Sequence, residues 1–191
     1  MIATSRARAR SPILVLAVVL AFGPARAAVC AAPAPGRPAA TLTVYVVRHA
    51  EAVQDTSKDP PLSEAGVERA VALRNWLRKS HVGAIYASNY RRAQGTALTL
   101  AESLELAVHA YDAGDVTDLA RHLRERHEGT SVLVVGHSNT VPAIIEALGG
   151  ARPPDLRHDE YDAIFVVRMN GDTASVTKLH YGRPTPPARE P

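Results

Sequence analysis

Two histidines in this chain each close an apolar run. Arg48-His49-Ala50-Glu51 ends the run Leu42 to Val47, and Gly136-His137-Ser138-Asn139-Thr140 follows the run Val132 to Val135. Valine-rich runs of this kind are what buried strands look like. A strand that ends in Arg-His delivers a cation and an imidazole to the sheet edge, and in open α/β sheets that edge is where ligands bind. Two strand tips that each carry a histidine point to one site built from both. Arg48, Arg92 and the two imidazoles converging would make a pocket for a phosphoryl group. The planar guanidinium fork fits phosphate oxygens in a way that lysine does not. A neutral imidazole can attack phosphorus near pH 7 without first losing a proton. The plainer alternatives are a strand-end histidine that hydrogen-bonds a backbone carbonyl and arginines that carry surface charge.

The rest of the sequence supplies elements to hold these groups. The first strand is Leu42 to Arg48. Gln54 to Pro61 is a loop, since Pro60-Pro61 excludes helix there. Ser63 is the N-cap of a helix running to about Lys79, in which Ala65, Val67, Ala70, Val71, Leu73, Trp76 and Leu77 recur at helical spacing and Trp76 and Leu77 are core. A strand at Gly83 to Ala87 and a helix from about Arg92 to Leu104 follow. Next come a strand at Ala107 to Tyr111 and a helix capped by Asp115 that runs through Arg126. Val132 to Val135 is a strand, and Thr140 to Leu148 a helix stopped by Gly149-Gly150. Ala163 to Met169 and Ala174 to His180 are strands joined at Asn170-Gly171, a strong hairpin signal. This alternation predicts an α/β fold, a three-layer α/β/α sandwich whose sheet is mixed but mostly parallel.

Four segments, in order, resemble those of the histidine phosphatase superfamily, the phosphoglycerate mutase-like family. Arg48-His49-Ala50-Glu51 is similar to its R-H-G/A-E signature, and Pro61-Leu62-Ser63-Glu64-Ala65-Gly66 to its P-L-[ST]-x-x-G helix start. Ser88 to Ala97 resembles S-x-x-x-R-A-x-x-T-A, and Val135-Gly136-His137 the segment of the second histidine. The resemblance spans nearly all of Thr41 to Tyr181. It implies a phosphoglycerate mutase-like fold and metal-independent hydrolysis of a small phosphorylated substrate through a phosphohistidine on His49. Arg48, Arg92 and His137 would bind the phosphoryl group. The spacing from Ser88 selects Arg92 over Arg91, which then faces solvent.

Many family members carry a glutamate after the third strand as the acid for the leaving oxygen. Here the stretch is Tyr111-Asp112-Ala113-Gly114-Asp115, with no glutamate. Asp112 is the first candidate and Asp115, which also reads as a helix cap, the second. Glu51 is the third, in a position that more often orients the loop. With no acid in place, only good leaving groups would turn over, such as a phosphoramidate or an aryl phosphate. Ser138 imitates a nucleophile elbow, but Thr140 stands where G-x-S-x-G requires its last glycine. Ser138 and Asn139 read as caps of the next helix. The other histidines show no metal-ligand spacing, no nucleotide-binding glycine loop is present, and no cofactor is implied. The alternatives kept are an anion-binding module without catalysis, a phosphomutase and a Ser138 hydrolase.

The N-terminus reads as an export signal over residues 1–27. Arg6, Arg8 and Arg10 form the n-region, Pro12 to Phe22 an h-region too short to span a bilayer, and Ala25-Arg26-Ala27 a cleavage site. With its four arginines and no acid, its removal takes the formal charge from +3 to −1, so the basic balance of the full chain gives no support for nucleic-acid binding. A periplasmic or secreted location without stable membrane insertion follows. Cys30, the only cysteine, excludes an intramolecular disulfide, and Ala27-Ala28-Val29 before it is a poor lipobox. Residues 28–40, rich in Ala and Pro, read as a disordered linker, 41–182 as the domain, and 183–191 as a flexible Pro-rich tail. Oligomeric state is not legible.

Overall fold

The computed structural model describes residues 40–185. The proposed signal segment, nearly all of the linker and residues 186–191 lie outside the described residues. The chain divides into two units, Met1–Pro35 and Gly36–Pro191, and every described residue belongs to the second.

Strand β1 (Leu42–Arg48) is followed by α1 (Glu64–Leu77), β2 (Val82–Ser88), α2 (Arg91–Leu104), β3 (Val108–Tyr111), α3 (Val116–Arg126), β4 (Ser131–Gly136) and α4 (Thr140–Ala147). The hairpin β5 (Ala163–Asn170) and β6 (Thr173–His180) ends the order. The six strands form one sheet in the order β3-β2-β4-β1-β5-β6. β1 with β4, β4 with β2, and β2 with β3 are parallel, whereas β5 runs antiparallel to both β1 and β6. This is the expected α/β arrangement with a mixed, mostly parallel sheet.

The two-residue period of a strand divides the core. On β1, Val44 and Val46 face α3 and α4, with Leu119, Leu123, Ile144 and Ile145. Tyr45 and Val47 face α1 and α2, with Leu73, Leu77, Ala97 and Leu100. β4 splits the same way, with Val132 and Val134 on one side and Leu133 and Val135 on the other. β1 and β4, covered on both faces, therefore read as unbroken apolar runs. The helices after β1 and β4 leave to opposite faces, which opens a crevice at the tips of those two strands.

Local signals act where expected. The Ser63 hydroxyl accepts from the Gly66 N–H, and the Asp115 carboxylate from the Asp118 N–H. Gly149, at φ +80°, ends α4 in a backbone conformation that suits glycine. Three details differ. The hairpin turns at Gly171-Asp172, because Asn170 already pairs with Thr173 and the positive φ falls on Gly171. Trp76 is half-buried and packs edge-on against Tyr45 at the rim of the core, with ring centroids 5.9 Å apart. Residues 183–185, placed in the tail, are held to the domain. The Arg183 carbonyl accepts from Arg69, and the Thr185 N–H and hydroxyl both donate to the buried carboxylate of Asp162.

Candidate active site

In the parallel register of β1 and β4, Arg48 lies opposite Gly136, so His49 and His137 leave the sheet side by side. The His49 N–H donates to the Gly136 carbonyl at 2.9 Å, which locks the two tips together. Gly136 has to be small: a Cβ there would sit 2.8 Å from Thr140 Oγ1 and 3.1 Å from Tyr111 Oη. The imidazole centroids of His49 and His137 are 5.2 Å apart. Both rings line one cavity of about 900 Å³, together with Arg48, Arg92, Tyr90 and Tyr161. The four groups singled out from the sequence thus meet around one hollow.

The tautomer of His49 is fixed twice. Its Nδ1 is 2.8 Å from the Ala50 carbonyl, which can only accept, so Nδ1 carries the hydrogen. Arg92 Nε, which can only donate, is 3.2 Å from Nε2, so Nε2 offers its lone pair. The carbonyl bond expected of a structural histidine is therefore present, and it is what leaves Nε2, the acceptor of the Arg92 bond, as the unprotonated nitrogen. Burial pushes the His49 pKa down to about 3, with the charges of Arg48, His137 and Arg92 adding to the effect against the Ala50 bond. Near neutrality the ring is uncharged and nucleophilic. Burial, then Arg92 and Arg48, push His137 down to about 4.

Neighbouring motif residues build the supports. The Ala50 N–H donates to Thr96 Oγ1, which in turn donates to the Arg92 carbonyl, so α2 fastens the loop behind His49. Ser88, fully buried at the tip of β2, is 2.8 Å from His137 Nε2 through its hydroxyl. At Gly66 a Cβ would lie 2.0 Å from the Glu51 carbonyl oxygen, so only glycine lets α1 start against this loop. Arg69 binds both carboxylate oxygens of Glu51 at 2.7–2.9 Å. Burial alone would lower the Arg69 pKa; the bonds and charge of Glu51 outweigh it and raise it.

Arg48 is engaged differently from the expected fork. Its Nη1 donates to the carbonyls of Arg157, His158 and Glu160, and its Nη2 to Tyr161 Oη. The buried Nε has no hydrogen-bond partner among the described residues. Arg92, half-buried, stacks over the Tyr90 ring at 4.5 Å and approaches Asp59 at 3.7 Å. Arg91 is exposed, as expected.

The acid candidates are not brought to the hollow. Asp112 Oδ1 turns back to accept from the Gly114 N–H, and the residue lies in a separate recess with Asp115 and Asp118. The local turn wins because an Asp two residues before Gly closes its own bonded loop. Asp115 caps α3 and Glu51 is held by Arg69. Asp55 is the carboxylate residue that lines the cavity. Asn139 occupies the N-cap position of α4, as expected, but without a side-chain bond. Neither Ser138 nor Asn139 caps through its side chain; instead the His137 N–H donates to Thr140 Oγ1. No histidine is hydrogen-bonded to the Ser138 hydroxyl among the described residues. Nor, among them, do three or more His, Cys, Asp or Glu residues gather as metal ligands.

Sequence reasoning missed Tyr90 and Tyr161. Tyr90 meets His137 edge-on at 5.0 Å, and Tyr161 lies 6.1 Å from His49 by ring centroid and 4.1 Å over the Arg48 guanidinium. Tyr90 sits inside a motif at an unspecified position, and Tyr161 in an irregular stretch with no pattern to mark it.

Residues 44–113 match the model of the histidine phosphatase superfamily (branch 1). Among solved structures, the protein histidine phosphatase SixA complexed with tungstate is 22% identical, with a TM-score of 0.60 over 72% of this chain and 96% of that one. A putative phosphohistidine phosphatase SixA from Nakamurella multipartitia is 22% identical (TM-score 0.55; 78% and 99% covered). A putative α-ribazole-5′-P phosphatase from Escherichia coli K-12 is 17% identical (TM-score 0.59; 73% and 96%). No curated protein matches the sequence. At these identities the structural likenesses show the fold. The family model, which covers residues 44–113, and the fold agree with each other.

Proposed function

We propose that this protein is a metal-independent phosphohydrolase that acts through a phosphohistidine on His49. The observation that carries the reading is the doubly fixed tautomer: an uncharged imidazole whose Nε2 lone pair faces a cavity between two guanidinium groups. Nε2 attacks phosphorus, and Arg92, Arg48 Nε and His137 hold the phosphoryl oxygens while charge develops on them. Water then cleaves the P–N bond. Two solved structures of this fold are described as putative phosphohistidine phosphatases, which supports phosphoramidates beside phosphomonoesters as substrates. Export belongs to the same reading and rests on the charged n-region, the apolar run to Phe22 and the Ala25-Arg26-Ala27 site. Recovery of the chain only from the cytosol would overturn that part.

The deciding experiment quenches the protein during hydrolysis of a phosphate-labelled aryl phosphate. The bound label should be stable in base, labile in acid, and absent from His49→Ala, in which turnover falls by roughly 10⁴ or more. Turnover that survives His49→Ala rejects the reading, as does covalent capture of Ser138 by a fluorophosphonate with loss of activity. Reversible phosphate binding without turnover would leave an anion-binding module, the reading favoured by the displaced Asp112.

A further inference from the structure

We propose that the hydroxyl of Tyr161 is the proton donor to the leaving group, a role that rests on the phosphohydrolase reading above. The reaction needs a donor, and Asp112, Asp115 and Glu51 are all committed elsewhere. Asp55 lines the cavity from an exposed loop, with Oδ1 accepting from the Ser57 N–H. Tyr161 lines the same cavity, 6.1 Å from His49 by ring centroid.

Its position is fixed from three directions. The ring covers the Arg48 guanidinium at 4.1 Å, Oη accepts from Arg48 Nη2 at 3.2 Å, and the backbone N–H donates to Thr185 Oγ1 at 3.3 Å. Arg48 is itself clamped by three carbonyls of the loop that leads into Tyr161. Because a guanidinium cannot accept, Oη must accept from it and keeps its own hydrogen. Among the described residues no acceptor takes that hydrogen. A group that gives up this proton becomes a phenolate beside a buried cation, which stabilises it. Tyrosine is an established type of general acid on these terms.

The step balances. His49 Nε2 attacks phosphorus with its lone pair, the P–O bond to the leaving group breaks, and the bonding pair stays on that oxygen, which takes the Tyr161 proton. In the second half a water oxygen attacks phosphorus and gives a proton to the phenolate. The P–N bond breaks and its pair returns to Nε2. One phosphate ester and one water become one alcohol and one phosphate.

Tyr161→Phe keeps the ring over Arg48 and removes only the hydroxyl. We would measure kcat/KM, which reports the step in which the leaving group departs, across aryl and alkyl phosphates of rising leaving-group pKa. The expected loss is within about 3-fold on 4-nitrophenyl phosphate and grows to roughly 100-fold on an alkyl phosphate. An equal loss across the series, or none, overturns the proposal. So does a loss that tracks leaving-group pKa in Asp55→Asn but not in Tyr161→Phe. Trapping the labelled intermediate on 4-nitrophenyl phosphate separates the two levels. Label on the wild type with a flat profile for Tyr161→Phe removes Tyr161 alone; no label on the wild type removes the phosphohistidine reading and this role together.

Discussion

The molecule gathers histidines in two places, and only one of them has the equipment of an active site. At the tips of β1 and β4, His49 and His137 share a cavity with Arg48 and Arg92, and their rings are buried. Under α3, His109, His122 and His127 surround Tyr86, with ring centroids 5.3, 5.8 and 5.6 Å from it. Tyr86 Oη is 2.8 Å from His127 Nε2 and 3.1 Å from His122 Nε2. There the imidazoles of His122 and His127 satisfy one buried hydroxyl, and among the described residues no guanidinium is hydrogen-bonded to any of the three rings. The second cluster has more imidazoles and less chemistry. What separates the two is the fixed cations, the unprotonated Nε2 that accepts from one of them, and the open crevice, rather than the number of rings.

The largest test of this contrast is Arg92→Ala. It should lower kcat/KM by about 10³ or more, as loss of a phosphoryl-binding arginine does elsewhere, while thermal melting changes little. An unchanged rate would remove the cation from the argument and make the two clusters equivalent.

Acid stability comes next. His49 and His137 titrate near 3 and 4 in the folded chain, against an ordinary 6.5. Below about pH 6.5 the unfolded chain therefore binds protons that the folded chain refuses, and stability falls as pH drops through that window towards the folded values. Urea unfolding measured from pH 7 to pH 4 should show this slope, and His137→Gln should make it shallower. A slope that is the same in both proteins would mean that the ring is not held neutral by its surroundings.

The smallest effect belongs to the other cluster. Tyr86→Phe should cost about 0.5–1.5 kcal/mol of stability, the usual net worth of a hydrogen bond, with turnover on aryl phosphates unchanged. A fall in turnover larger than the fall in folded fraction would show that the Tyr86 cluster takes part in the reaction.

Much of this was legible in the chain because the physics is local or periodic. The valine runs of β1 and β4 mark strands covered on both faces, and Ser63 and Asp115 mark helix starts through their own side chains. His49, His137, Arg48 and Arg92 were legible because strand tips and the first turn of α2 place them. Asp112 was misread because one short segment, Asp-Ala-Gly-Asp, encodes both an acidic loop and an Asx turn, and the local turn costs less chain entropy than a long-range placement. Arg48 was half-read. Its outer nitrogens go to three backbone carbonyls, and carbonyls carry no residue signature. Tyr161 depends on the same irregular loop and on Thr185, so only the assembled fold reveals it.

The contact between Arg92 Nε and His49 Nε2 has one more consequence. The nitrogen proposed as the nucleophile already accepts from a donor of its own chain. On the phosphohydrolase reading, a dianion would compete for that arginine and bare the nitrogen, whereas a neutral electrophile that cannot recruit the cation should react slowly.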